Sequence, residues 1–145
     1  MQILTHDYSK VVLQTKYDEQ IGEGGETVIG DNVFIGMNSV ILMGAHIGNN
    51  VIVGAGSVVH GDVPDDVVVA GNPARVLCTL KEHLEKRRQR TPNEALLVAR
   101  SYIKRYGKRP TEYDMRHFKN LFGGKAKSAK KWSSFEEFIT EAEER

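Results

Sequence analysis

The sequence predicts a β-helix followed by a C-terminal α-helical extension. Two observations support this fold class: an Ile or Val at every sixth position from Ile29 to Val59, and an amphipathic helical pattern that replaces this period after Leu77. An α-helix repeats about every 3.6 residues and a strand about every 2, so neither explains a period of six. A fixed period held over consecutive units indicates a solenoid instead.

The six-residue units are IGDNVF, IGMNSV, ILMGAH, IGNNVI, VGAGSV and VHGDVP. Their first residue is Ile or Val, and we expect it to point into a narrow prism with three short strands per coil. Their fifth residue is slim and is expected inside, near a corner: Val33, Ser39, Ala45, Val51, Ser57 and Val63. Three units make one coil, so Ile29 should stack on Ile47 and Ile35 on Val53. Strands of an open sheet would not keep this register.

These units resemble the repeats of the hexapeptide-repeat acyltransferases. The segment VPDDVVVAGNPARVL, at residues 63–77, is similar to the closing segment of the sugar O-acetyltransferase branch, which includes galactoside and maltose acetyltransferases and enzymes of polysaccharide biosynthesis. The resemblance covers about residues 3–80. It implies a left-handed parallel β-helix, an exception to the usual right-handed crossover. It also implies a homotrimer that transfers an acetyl group from acetyl-CoA to a hydroxyl of a sugar or glycan precursor.

We expect residues 1–78 to form the acyltransferase domain, with an excursion loop at about 8–26, and residues 79–145 to form the helical extension. Within the extension, Thr91-Pro92 resembles a helix start. Further helices are expected from Thr111 and over Trp132–Ala142, the last with Ser133 and Glu136 as a capping box. These helices should pack together or onto the base of the prism.

His6 matches the catalytic histidine of the resembled family, because it precedes the long excursion. A neutral imidazole can take the proton of a sugar hydroxyl as that hydroxyl attacks a thioester, which contributes roughly 10²–10⁴-fold to the rate. Histidine does this near neutral pH without much tuning. Asp7 or a backbone carbonyl could fix the tautomer of His6. Asp7 and Tyr8 are the expected acceptor-binding residues.

The resemblance places acetyl-CoA in a groove between two prisms of the trimer. The residues it implies for the donor are Phe34, Met37, Ala55, Gly56, Ser57, His60 and Arg75. Small residues at a corner allow the pantetheine arm to approach the backbone, and arginine suits the CoA phosphates because its donors form a fixed fork. Met37 and His60 depart from the small polar residue and the threonine that are usual in the family.

Other chemistries find little support. Three histidines would have to converge for a metal site, and His6, His46 and His60 do not reproduce the arrangement of the trimeric carbonic anhydrases, so no metal is expected. Cys78 is the single cysteine, and no motif pairs it with a base, so we expect it to pack as a small hydrophobe. No stretch reaches the roughly 18 apolar residues of a membrane span, and a cytoplasmic protein is expected.

Two alternatives remain open. His6 lies near the start of the sequence, where the resembled enzymes carry further coils that shape the acceptor pocket, so the chain could be a trimeric scaffold without catalysis. The other alternative is a prism that trimerises a nucleic-acid-binding tail, with Lys104–Arg109 and Lys125–Lys131 as its basic segments. The formal net charge of +1 argues against nucleic acid as a partner of the whole chain.

Overall fold

The computed structural model describes residues 1–6, 8–22, 24–122 and 131–144. The chain divides into two compact units, Met1–Leu84 and Glu85–Arg145. The strands are β1 (Gln2–Ile3), β2 (Val28–Ile29), β3 (Phe34–Ile35), β4 (Val40–Ile41), β5 (His46–Ile47), β6 (Ile52–Val53), β7 (Val58–Val59), β8 (Asp62–Val63), β9 (Val67–Gly71) and β10 (Ala74–Thr79). The helices are α1 (Lys10–Tyr17), α2 (Leu80–Tyr106), a 3-10 helix (Arg116–Leu121) and α3 (Phe135–Glu143).

The first unit is a parallel β-helix with three faces. The first face contains β1, β4 and β7, the second β2, β5 and β8, and the third β3, β6, β9 and β10. Ile29 pairs with Ile47 and Ile35 with Val53, both 18 positions apart, as the six-residue period predicts. Each strand has only two residues in the repeats, because the chain must turn a corner before it can extend further.

Two of the corners contain residues for which the sequence predicts a functional role. The corner between the first and second faces, here the His6 corner, consists of residues 4–6, 42–45 and 60–61. The corner between the third and first faces, here the glycine corner, consists of residues 36–39, 54–57 and 70–71.

The interior of the prism is filled by the first and fifth residues of the repeats. Ile41, Val53 and Val59 are fully buried, as are the fifth-position residues Ala45 and Val51. Each such aliphatic side chain contributes roughly 1.5–3 kcal/mol by leaving water. The expected inward direction of both positions is thus confirmed for these residues.

The last repeat is shorter than expected: Val63 is buried, as predicted, but its assignment to a fifth position was wrong. Val63 pairs with Ile47 at a separation of 16, so it continues the ladder of first positions and is not a fifth position. The chain turns the His6 corner here through His60 and Gly61 alone. Gly61 has a φ of +66°, a conformation that glycine adopts without steric cost, and it makes the tighter turn possible.

The excursion leaves and rejoins the β-helix at the His6 corner. Ile3 pairs with Ile41 at a separation of 38 instead of 18, so the first coil holds twenty additional residues. They include α1, none of whose residues is buried. At its return a Cβ on Gly25 would lie 3.0 Å from the Cα of Gly44, and the Gly44 amide donates to Thr27 Oγ1 at 3.2 Å.

The helix α2 runs through Pro92, so the prediction of a helix start at Thr91 was wrong. The Thr91 hydroxyl donates instead to the carbonyl of Arg87 at 2.6 Å, within the same helix. An interior proline costs a helix about 3 kcal/mol. Ala95 and Leu96, which follow Pro92 in the same helix, are buried in the core of the second unit.

The second unit has a hydrophobic core of its own, which confirms that the helices pack together. Its buried members are Ala95, Leu96, Ala99, Met115, Leu121, Phe122, Trp132, Phe138, Ile139 and Ala142. Thr111 and Asp114 bond reciprocally, amide to side chain, before the 3-10 helix. Ser134 caps α3 by accepting from the Glu137 amide, so the predicted capping box was displaced by one residue. Of the predicted basic segment Lys125–Lys131, only Lys131 lies within the described residues.

No helix in the described ranges has both the length and the apolar composition needed to cross a bilayer.

Replacing Gly36 by alanine is expected to destabilise the β-helix by about 1–3 kcal/mol. The new Cβ would lie 2.4 Å from the backbone nitrogen of Ala55, and a backbone atom cannot rotate away. The matched control is Gly22→Ala, where nothing lies within 4 Å of the new Cβ. Urea unfolding of both variants measures the difference. Equal midpoints would contradict this close stacking of the coils.

Candidate functional site

The glycine corner brings backbones of successive coils into close contact. The Gly56 amide donates to the carbonyl of Met37 at 2.9 Å, which stacks the two residues directly. Gly56 has a φ of +70°, and nothing lies within 4 Å of where its Cβ would stand. Met37 is 79% exposed, and Ala55 and Gly56 are exposed as well. The corner therefore presents bare backbone to an approaching molecule.

Arg75 continues the same edge below the last coil. It pairs with Ala70 across the antiparallel β9–β10 hairpin, and Ala70 lies beneath Gly54, whose Cβ would stand 2.7 Å from that of Ala70. The guanidinium of Arg75 donates to the carbonyl of Ala74 at 3.0 Å. One edge of the prism thus contains five of the predicted donor-binding residues: Met37, Ala55, Gly56, Ser57 and Arg75.

The buried side chain of Ser57 stabilises the backbone of this edge. It is fully buried, and its hydroxyl donates to the Gly54 carbonyl at 2.6 Å and accepts from the Gly71 amide at 3.2 Å. Ser39 Oγ donates to the same carbonyl at 2.9 Å. Ser57 and Ser39 therefore fix the shape of the corner, and only the backbone of Ser57 can face a ligand.

His6 lies at the top of the His6 corner, where the excursion begins. Its side chain is exposed, and its Nδ1 lies 2.9 Å from Thr5 Oγ1. Asp7, the expected orienting and acceptor-binding residue, lies outside the described residues, and Tyr8 is 75% exposed. Sequence reasoning missed this contact of Thr5, whose hydroxyl can either donate to Nδ1 or accept from it.

The other two predicted donor residues lie elsewhere on the prism. His60 belongs to the His6 corner, two coils below His6, and lines a cleft of about 310 Å³ together with Arg75 and Asp62. Phe34 lies on the third face and is 64% exposed. It lines a shallow groove with Asn32 and other residues. The structure thus places five of the seven predicted donor residues along one edge, Phe34 on the third face, and His60 at the His6 corner in a cleft that it shares with Arg75.

A second histidine has a carboxylate partner that the sequence did not indicate. His46 Nδ1 lies 3.1 Å from Asp62 Oδ1 across β5 and β8, and both side chains are more than half exposed. A separation of 18 would have placed Pro64 opposite His46. The shortened last coil places Asp62 there, and the hydrophobic pattern of the repeat does not reveal this shortening. Within the described ranges no three His, Cys, Asp or Glu residues cluster as metal ligands would.

Residues 26–61 match the model of the family described as "Bacterial transferase hexapeptide (six repeats)". The chain is 42% identical over 80 residues to the putative acetyltransferase YvoF of Bacillus subtilis, a match that covers 55% of this chain and 46% of that protein. It is 53% identical over 49 residues to the galactoside O-acetyltransferase of Escherichia coli, covering 34% and 24% of the two chains.

Two further similarities cover comparable segments. The putative lipopolysaccharide biosynthesis O-acetyl transferase WbbJ of Escherichia coli is 47% identical over 55 residues, 38% of this chain and 28% of that protein. A solved structure of a hexapeptide-repeat acetyltransferase from Vibrio cholerae, complexed with acetyl coenzyme A, is 41% identical and covers 55% of this chain and 42% of that one, with a TM-score of 0.45. The chain spans less than half of the length of each of these proteins.

Replacing Ser57 by alanine is expected to lower the free energy of unfolding by about 0.5–1.5 kcal/mol, because the Gly71 amide loses its acceptor and the Gly54 carbonyl loses a donor. Ser101→Ala, on the exposed side of α2, is the matched control and should change it little. Chemical denaturation of the two variants provides the comparison. If Ser57→Ala were as stable as the control, the hydroxyl would not be holding the glycine corner.

Proposed function

We propose, from the premise that residues 26–61 belong to the bacterial transferase hexapeptide family, that the chain is an O-acetyltransferase. It would move an acetyl group from acetyl-CoA to a hydroxyl of a sugar or polysaccharide precursor. The observation that carries the proposal is the single edge formed by Met37, Ala55, Gly56, Ser57 and Arg75. Three relatives named as acetyltransferases support it, and the family relationship favours a left-handed coil.

The edge has the properties that an extended thioester-bearing molecule requires. The pantetheine arm is thin and carries amides, so it pairs best with backbone groups that no side chain covers. Open space beside Gly56 fits this need. Arg75, at the lower end of the edge, would bind the phosphates of CoA through charge-assisted hydrogen bonds.

His6 would act as the general base. In the tautomer that this role needs, Nδ1 would donate to Thr5 Oγ1, 2.9 Å away, and Nε2 would accept the proton of the acceptor hydroxyl. Acetyl-CoA supplies an activated carbonyl. The hydroxyl oxygen forms the new C–O bond, the C–S bond breaks, and the proton on His6 can pass to the departing sulfur. Backbone amides at the corner would stabilise the negative charge that develops on the carbonyl oxygen.

A complete site would need two copies of the chain. His6 and the glycine corner stand at opposite edges of the first face, which a six-residue repeat makes up to roughly 20 Å wide. Assembly about a three-fold axis would bring the His6 corner of one copy to the glycine corner of the next. The exposed apolar residues of α1, with Val12 at 69% and Tyr17 at 65%, support such an assembly, which would cover them.

The decisive test is thioester release from acetyl-CoA across a panel of sugar acceptors. We expect His6→Ala to lower kcat roughly 10²–10⁴-fold with little change in the affinity for acetyl-CoA, because the residue acts on the acceptor proton. His117→Ala is the matched control, since His117 is an exposed histidine of the second unit. Transfer that survives His6→Ala unchanged would assign the base elsewhere, and a chain that binds acetyl-CoA but never transfers would be a scaffold.

A further inference from the structure

The near-neutral charge of the chain conceals two oppositely charged units. Met1–Leu84 contains 4 Lys and Arg against 10 Asp and Glu, a net charge of −6, and Glu85–Arg145 contains 16 against 9, a net charge of +7. Segregation of this size between compact units is uncommon for charges that merely keep a surface solvated. The second unit therefore has enough excess positive charge to attract a polyanion.

Part of this positive charge is neutralised within the second unit. Arg87 pairs with Glu94 and Arg88 with Glu85, while Arg109 bonds both Glu136 and Glu143. Around the end of α2 the situation differs. Within the described ranges, four exposed cations there have no carboxylate within ion-pair distance: Lys104, Arg105, Lys108 and Arg116.

Two exposed tyrosines accompany these cations. Tyr113 is 73% exposed, and the guanidinium of Arg116 lies 4.4 Å from its ring centre. Tyr106 is 55% exposed, and the guanidinium of Arg105 lies 5.6 Å from its ring centre. An exposed aromatic ring beside an arginine offers a planar surface and a positive charge together.

The two tyrosines belong to one surface. The ring of Tyr102 lies 4.7 Å from that of Tyr106, and burial and the nearby carboxylate of Asp114, the neighbour of Tyr113, raise the pKa of Tyr102. Bonds from the Thr111 amide and hydroxyl hold the pKa of Asp114 below its ordinary value, so that this junction stays ionised and fixed. We call Lys104, Arg105, Tyr106, Lys108, Tyr113 and Arg116 the Tyr–Arg surface.

We propose that the Tyr–Arg surface binds single-stranded nucleic acid. The four cations would contact phosphates, and the tyrosines would stack on bases, the combination by which proteins bind single strands without sequence preference. A duplex keeps its bases stacked within the helix, and an anionic glycan or lipid surface offers charge without planar bases. Single strands alone use both features of this surface. The proposal is independent of acetyl transfer by the first unit.

The first experiment measures fluorescence anisotropy of a labelled oligothymidylate of about twelve nucleotides titrated with the full chain at several salt concentrations. Four phosphate contacts predict a slope of about −3 for log K against log[salt]. Lys104→Ala/Arg105→Ala should reduce the slope by about 1.4. Arg87→Ala/Arg88→Ala removes the same charge from paired residues and is the matched control. Equal weakening by both double variants would overturn the assignment to this surface.

The second experiment separates stacking from charge. Tyr113→Ala should weaken binding of the oligonucleotide roughly fivefold to hundredfold, whereas Tyr113→Phe keeps the ring and should bind as the natural chain does. Far-ultraviolet circular dichroism confirms that the variants fold. Binding of heparin or of phosphatidylserine vesicles at least as tight as that of the oligonucleotide, with no effect of Tyr113→Ala, would overturn the proposal in favour of a purely electrostatic partner. A slope near zero would overturn it as well.

Discussion

The parallel stacking of one coil on the next is the constraint on which the rest of the first unit depends. Backbone hydrogen bonds such as that from Gly36 to the Val53 carbonyl, 2.8 Å, join each coil to its neighbour. Side chains reinforce the same register at the remaining corner, where Asn32 Nδ2 donates to Asn50 Oδ1 at 2.8 Å and Asn50 Nδ2 donates to Asp66 Oδ1 at 3.1 Å. Slippage by one residue would turn the apolar ladder outward, so the register is fixed by burial and by polar pairing together. Columns of stacked residues follow directly, because residues 18 positions apart lie above one another in the regular repeats.

The glycine corner shows how this constraint produces a rigid edge of exposed backbone. Close stacking excludes a side chain at Gly36, and the buried hydroxyls of Ser39 and Ser57 converge on the single carbonyl of Gly54. Backbone groups at such an edge are already held in place before any ligand arrives, which reduces the ordering cost of binding. Exposed loops would have to lose that freedom on binding. The prism thus offers rigid backbone at its corners.

Sequence reasoning succeeded where structure follows from a local period and failed where it depends on distant packing. The ladder of Ile29 and Ile47 could be predicted because the six-residue repeat is visible in a short window. The pairing of His46 with Asp62 could not, since a shortened corner changes the register without disturbing the hydrophobic pattern. Pro92 is a local signal for a helix start, but α2 already begins at Leu80 and continues through the proline. The shared edge of Ala55 and Arg75 needed the β9–β10 hairpin, whose direction no spacing in the sequence revealed.

Under the proposed function, acetyl transfer requires His6 of one copy and the edge that contains Arg75 of another. The most direct measurement mixes chains carrying His6→Ala with chains carrying Arg75→Ala, co-folded in equal amounts, and follows acetyl transfer at low acetyl-CoA concentration. Each parent alone should be nearly inactive. Random assembly should leave roughly a quarter of the sites with both natural residues, so the mixture should recover about that fraction of the natural activity. A mixture no more active than the average of its parents would contradict a site shared between copies.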